Sequence, residues 1–392
     1  ESYKIFFDFL RDENENNVRY WEDGGGLKFE ILQGSKRLEG YANDAKVRVG
    51  AKVAHANDLN VSFMRRLMEL NYQLEYGRYS LDEEDNITIV FDTYVLDGSP
   101  YKLYYAIKEV ATKADKLDDL LLDEFQMLKA TDVSLQIPIP EREKEVKYEF
   151  TRQSIQQMFG QIENGALDPN QYPGAVAYLY LDCCYRLDYL VKPEGFMMES
   201  LERIHRMYFD KNETSVSRKN LSLRKEYEKL LQRPKEAYLK EMYRVNSTFG
   251  ITVPVNHDRV RSFVDGEWHN MDWYQEHGHM NVAMAIPGYI VGYCLFYYSV
   301  PQPDRDFLQL YYRIMYADYF EALGFSPKFY QRATNTFAQK AIKRKIKLVV
   351  EKHETQFPRL NPNTRLLNFS SADAFAKSWL LMIRELDMTK SD

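Results

Sequence analysis

Cysteine is nearly missing from this chain. Its 392 residues include three, Cys183, Cys184 and Cys294. That number is too small and too odd for a disulfide framework, and it favours a reducing setting. Adjacent cysteines on a helix cannot face one partner, and no nearby histidine is placed to lower a thiol pKa, so Cys183 and Cys184 read as small buried apolar residues. Glycine clusters only at Gly24-Gly25-Gly26. This run precedes a strand and lacks the Lys-Ser/Thr of nucleotide loops, which excludes a phosphate cradle and leaves a turn. Clustered cations are absent from residues 1–135, whose net charge is −9 against +3 for the remainder. A phosphate-binding surface needs such clusters, so nucleic acid is excluded as a partner of this part. Long aliphatic runs are absent too. The one uncharged stretch, Met280 to Pro303, is interrupted by Pro287, Gly288 and Gly292 and is rich in Tyr and Phe. It has no polybasic flank, mean hydropathy over the chain is −0.53, and a buried central helix is expected rather than a membrane span. No secretory leader pattern precedes the first strand, and the expected location is cytoplasmic.

What the chain does have is periodicity. Leu27, Phe29 and Ile31 alternate with Lys28 and Glu30, and Val47, Val49, Ala51 and Val53 alternate with Arg48 and Lys52. Each predicts a strand with one wet face. Lys36 to Asn43 lies between them, with turns at Gly34-Ser35 and Asn43-Asp44, which makes a three-stranded meander. Asn57, Asp58 and Asn60 offer cap oxygens to a short helix carrying Phe63, Leu67 and Leu70. Alternation resumes at Tyr72, Leu74 and Tyr76 and shifts phase beyond Gly77 to Tyr79 and Leu81, which predicts a bulge. Ile87, Ile89 and Phe91 form the next strand. Ser99 and Pro100 then open a long helix with an apolar stripe at Leu103, Ile107, Val110, Ala114, Leu117, Leu121 and Phe125, while Lys108, Lys113, Asp115, Asp118 and Asp119 lie off it.

The order β-β-β-α-β-β-α, preceded by an amphipathic helix from Tyr3 to about Leu10, resembles the YbjN-like family, whose fold is similar to that of the type III secretion chaperones. The turn-rich meander, the run Phe63-Met64-Arg65-Arg66-Leu67-Met68-Glu69-Leu70-Asn71 into Tyr72, and Asp97-Gly98-Ser99-Pro100 carry the resemblance. It covers residues 1–135. It implies an antiparallel sheet with packed helices, and a cytosolic, non-enzymatic, often dimeric protein that binds other polypeptides.

Residues 136–147, with Pro138, Pro140 and a charge run from Glu141 to Glu145, read as a linker. Residues 148–392 then read as all-α, as in Ile155, Met158, Phe159 and Ile162, or Leu201, Ile204, His205 and Tyr208. Two related helical halves are one reading of this region. Tyr178, Cys183, Phe196, Tyr208 and Phe209 recur 111 residues later as Tyr289, Cys294, Phe307, Tyr319 and Phe320; two unrelated aromatic hairpins are the other.

Chemistry-bearing candidates are few. His269, Asp272, His277 and His279 form a polar cluster with metal-ligand side chains but without His-Glu-x-x-His spacing, among Trp268 and Trp273. Two basic helices lie at Arg218–Arg244 and Lys340–Lys352. In the second, Ile342, Ile346 and Val349 form one face, and Lys343, Arg344, Lys345 and Lys347 make a candidate surface for an acidic protein or an anionic membrane. The expected function is a non-enzymatic, cofactor-free, protein-binding or chaperone-like adaptor that uses the sheet face and the aromatic helical region as platforms. A structural subunit of a homo-oligomer, including a homodimer, and an enzyme or metal protein with a site at His269–His279 are the alternatives.

Overall fold

The computed structural model describes residues 2–12, 16–56, 61–165, 167–211, 214–247, 249 and 252–391. Two compact units divide the chain. The first takes in Glu1–Ile139, Glu194–Glu199 and Lys240–Ile251, and the second Pro140–Pro193, Ser200–Leu239 and Thr252–Asp392.

The first unit runs α1 (Ser2–Leu10), β1 (Val18–Asp23), β2 (Gly26–Gln33), β3 (Lys36–Ala42), β4 (Lys46–Ala56), α2 (Val61–Tyr72), β5 (Arg78–Leu81), β6 (Asn86–Tyr94), α3 (Pro100–Glu124), β7 (Leu128–Ala130), β8 (Ile137–Pro138) and, from the returning chain, β9 (Tyr243–Arg244). The main sheet has the order β1-β2-β3-β4-β6-β5, with β7 also paired to β4 and every pairing antiparallel. The α+β architecture expected from alternation is present, with β1 and β7 added. β1 escaped notice because only Val18 and Asn17 before it are buried while Glu22 and Asp23 face solvent. The glycine run is a turn: Gly24 and Gly25, both at positive φ, join β1 to β2.

One face of the sheet buries Phe29, Ile31, Leu38, Val49 and Ile89 under α3. α3 starts as its sequence demands, since Ser99 Oγ accepts from the Lys102 amide 3.2 Å away and Pro100 follows. Its stripe from Leu103 to Leu121 is buried.

Three local expectations need correcting. Tyr72 ends α2, and residues 73–77 form a turn rather than a strand. This turn owes its shape to a distant side chain, because the Glu109 carboxylate of α3 accepts from the amides of Glu75, Tyr76 and Gly77 at 2.8, 2.9 and 2.8 Å. The register shift falls in β4, between Lys52 and Ala54, not beside Gly77. The cap residues Asn57, Asp58 and Asn60 lie outside the described residues. The stretch 136–147 is not a linker either: Ile137-Pro138 pairs with Tyr243-Arg244, and a helix begins at Glu141. Glu141 and Glu143 suit the positive end of that helix, so the charge run is its first turn.

The second unit holds α4 (Glu141–Glu163), α5 (Pro173–Val191), α6 (Gly195–Phe209, its first turn counted with the first unit), α7 (Val216–Gln232), α8 (Lys235–Lys240), α9 (His257–Glu267), α10 (Asn270–Glu276), α11 (Met280–Tyr297), α12 (Gln302–Met315), α13 (Ala317–Ala322), α14 (Gln339–His353) and α15 (Ala372–Arg384). Short pairings join β10 (Val253–Pro254) to β11 (Tyr298–Ser299) and β12 (Tyr330–Gln331) to β13 (Thr336–Phe337). α5 and α11 lie side by side at its centre. Gly288 and Gly292 of α11 meet Asp182 and Tyr185 of α5, a close approach that a larger residue would obstruct. α11 is the one described helix long and apolar enough to cross a membrane, and 67% of it is buried within the unit. Tyr178 and Tyr289, the first pair of the 111-residue spacing, stand edge to face with ring centres 5.4 Å apart.

Candidate functional site

α2 carries two apolar stripes. Phe63, Leu67 and Leu70 point inward and are buried, as their spacing requires. Val61, Met64, Met68 and Tyr72 recur at steps of three, four and four on the other side, where they are 85%, 40%, 72% and 94% exposed. At about 100° per residue these four fall within roughly one quarter of the helix circumference. A surface helix of an ordinary monomer is mostly polar on its outer side, and this stripe departs from that pattern. Met64 and Met68 contribute unbranched, adaptable thioethers, and Tyr72 combines apolar area with a polar tip. Ion pairs from Arg66 to Glu124 of α3 (3.3 Å) and to Glu69 (3.7 Å) hold the helix in place. Arg65 and Glu69 flank the stripe on one side.

The sheet face expected to serve as a platform is instead charged. Arg37 pairs with Glu30, Lys52 with Asp82 and Glu84, and Arg78 with Asp92. The aromatic residues of the helical region are likewise mostly spent on its core: Tyr185, Tyr227, Tyr311 and Tyr312 are among its largest fully buried side chains.

A buried polar cluster lies where the β2–β3 turn meets α3. Lys36 Nζ is 3.0 Å from Asp118 Oδ2, and both side chains are 2% exposed. Ser35 donates from its amide to Asp115 Oδ1 (2.7 Å) and from Oγ to Asp118 Oδ2 (2.7 Å), while Gln33 Nε2 donates to Asp115 Oδ2 (3.0 Å). Tyr243 OH donates to Asp119 Oδ2 at 2.8 Å. Burial pushes Asp115 up to about 6, with hydrogen bonds from Gln33 and Ser35 opposing it. Burial, then the neighbouring Asp118 charge, pushes Asp119 up to about 7. Burial raises Asp118 as well, against the pull of Lys36. Ser35 and Gly34 occupy the tight turn; Gly34 has φ +53° and sits against the Asp115 carboxylate, leaving no room for a side chain. The off-stripe aspartates of α3 are therefore structural, tying a hairpin to a helix.

The candidate metal ligands are not gathered. His269 packs at a tilt on Trp268 and His277 stacks on Trp273, at 4.1 and 4.2 Å between ring centres. His277 Nδ1 also faces the Trp273 carbonyl at 2.7 Å, Asp272 is bound by Lys377, and the His279 ring lies 6.1 Å from that of Trp273. Among the described residues no group of three His, Cys, Asp or Glu side chains could hold a metal ion. On α14, Ile342, Ile346 and Val349 are buried, and Lys343, Arg344, Lys345 and Lys347 are exposed; Lys347 pairs with Glu351 at 3.3 Å and Lys343 lies 5.9 Å from the Phe369 ring centre. All three cysteines are buried, and burial pushes the Cys183 thiol up to about 11.

Sequence reasoning missed one pair that the fold creates. His257, the first residue of α9, faces Asp304 of α12 through Nδ1 and Oδ1 at 2.9 Å, beside a cavity of about 830 Å³ whose wall includes Arg261, Gln302 and Lys390. The ring's Nε2 and the other carboxylate oxygen are buried without partners. No described hydroxyl or thiol hydrogen-bonds to His257, so the pair lacks the nucleophile contact of a catalytic triad. The two residues lie 47 apart in sequence, and no local motif could have joined them.

No protein-family model matches the chain, and no curated protein matches it significantly.

Proposed function

We propose that this chain is a non-catalytic protein-binding module and that the outer stripe of α2 is its docking face. The exposure of Val61, Met64, Met68 and Tyr72 as one contiguous stripe carries this reading. The expectation attached to the resemblance of residues 1–135, polypeptide binding by a dimeric protein, agrees with it.

The stripe is self-complementary, which favours a second copy of the chain as occupant. In an antiparallel helix pair centred between Arg66 and Leu67, Val61 lies level with Tyr72, and Met64 of one copy lies one residue off level from Met68 of the other. Residues on the same flank then face each other, so Arg65 of each copy meets Glu69 of the other. Eight side chains leave water, and each is worth about 1.5–3 kcal/mol if fully buried. Met64 is already more than half covered, so the gross gain falls below the about 12–24 kcal/mol of full burial and is of the same order as the roughly 4–15 kcal/mol cost of association.

Sedimentation velocity over a concentration series tests it. Wild type should sediment as a dimer at micromolar concentration, and Met68→Glu as a monomer with an unchanged circular dichroism spectrum. A photo-crosslinking residue at position 72 should join two copies in the wild-type background. A wild-type monomer at every concentration, or a dimer unaffected by Met68→Glu, refutes the assignment.

A further inference from the structure

The chain comes back to the first unit after leaving it at Ile139, and among the described residues of the returning segment, 240–247 and Phe249, two are paired as β9 and several side chains are buried on that unit. Met242, Tyr243, Ser247 and Phe249 are buried, whereas Arg244 and Asn246 between them are exposed. Backbone pairing is brief: Tyr243-Arg244 runs antiparallel to Ile137-Pro138, and the Gly34 amide donates to the Ser247 carbonyl at 2.8 Å. Two aromatic anchors supply the rest. Tyr243 OH reaches Asp119, and the Phe249 ring enters the apolar core beneath the sheet, 6.3 Å from Tyr104, while its amide donates to Gln33 Oε1. Short backbone pairing combined with side-chain pockets is how sheet proteins recognise extended peptides.

We propose that the groove formed by the β2–β3 turn, the Asp119 side of α3 and β8 is a recognition site for an extended polypeptide carrying Tyr six residues before Phe, occupied in cis by Tyr243, Ser247 and Phe249 of the returning segment. The site lies on different elements from the α2 stripe and does not depend on it, so a failed dimer test leaves this inference standing. A ligand tethered in cis holds its groove at high effective concentration, and a free peptide then binds only in proportion to the fraction of molecules whose own segment has left.

The test uses the full chain and a fluorescein-labelled synthetic peptide of residues 240–251, read by anisotropy. Phe249→Ala removes the deeper anchor from the tethered segment but not from the added peptide, so binding should tighten by about tenfold or more over wild type. A control peptide with Ala in place of the phenylalanine should not bind. Tyr243→Phe, which loses only a hydroxyl, should shift binding in the same direction by a smaller factor and serves where Phe249→Ala fails to fold. Hydrogen exchange of wild-type protein in excess peptide should show faster exchange in residues 242–247. Folded variants that bind no more tightly than wild type, together with unchanged exchange in 242–247, would establish the segment as a permanent part of the core and overturn the proposal.

Discussion

Replacing Lys36 by Met isolates the worth of the buried cluster. The substitution keeps the length of the stem and deletes the ammonium, whose three donors are all engaged: Asp118 Oδ2 at 3.0 Å, the Thr131 carbonyl at 3.1 Å and the Val53 carbonyl at 3.3 Å. Breaking a buried pair by removing one partner costs about 3–5 kcal/mol, because the remaining charge is left uncompensated. Protonation of Asp118 limits that cost. Taking up a proton at pH 7 from an ordinary carboxylate pKa near 4 costs about 4 kcal/mol, at 1.36 kcal/mol per unit, and less for a group already raised by burial. The expected loss at pH 7 is therefore about 3–4 kcal/mol, and it should be smaller at pH 5.5 than at pH 8. Two compact units make a single melting temperature a poor measure. Hydrogen exchange followed by mass spectrometry, on peptides from β3 and α3, reads the opening free energy of this unit directly. Lys36→Met/Asp118→Asn, which removes both charges, should recover part of the loss. An opening free energy within about 1 kcal/mol of wild type at pH 8, or a loss with no pH dependence, would refute the account of Lys36 as the counter-ion of this cluster.

Other consequences are simpler to state. Asp115 and Asp119 are raised from 3.8 to about 6 and about 7, so their contribution is fully present below pH 3.8 and is lost as pH rises through 6 to 7; the opening free energy of α3, from exchange corrected for its intrinsic base-catalysed rise, should fall between about pH 4 and 7, and Asp119→Asn should flatten that profile. Glu109→Ala strips three amides of their acceptor and should destabilise the 73–77 turn by about 1–3 kcal/mol, seen as faster exchange there with the end of α3 unchanged. Native protein should react with no thiol reagent at pH 8, since all three cysteines are buried and Cys183 is pushed up to about 11, and three thiols should appear in denaturant.

Local periodicity made the main sheet and α3 legible. Leu27 to Ile31, Val47 to Val53 and the stripe from Leu103 to Leu121 each bury one face, and a single repeat length expresses that. The outer stripe of α2 was equally visible in Val61, Met64, Met68 and Tyr72, but a pattern of inward residues leaves no expectation for the outward ones. Where a polar side chain fills a role set by a distant element, the same rules misled. Asp115 and Asp118 look wet by periodicity, yet their partners are Gln33, Ser35 and Lys36, some eighty positions earlier. The strand expected at Tyr72–Tyr76 is a turn because of Glu109, and the histidines at 269 and 277 each pack on a tryptophan rather than converge.

The boundary near Pro140 shows why the remainder could not be read. Prolines and a charge run suggest a linker, whereas Ile139 ends only the first of three segments of the first unit and a helix follows at once. Composition cannot reveal that the unit is incomplete there. Phe249 is 216 positions from Gln33, whose side chain accepts its amide hydrogen, and no window of sequence spans that distance. An apolar residue in an extended, polar stretch such as Arg244 to Ser247 carries no periodic signature, so its destination depends on a groove built by other residues. The meander and α3 thus specify a sheet with an unfilled pocket, and a segment from beyond α8 supplies the missing side chain. An isolated fragment of residues 1–139 would expose the surface that Phe249 covers, which is why separation of the two units at the proline boundary should cost the first unit stability even though every strand of its main sheet is retained.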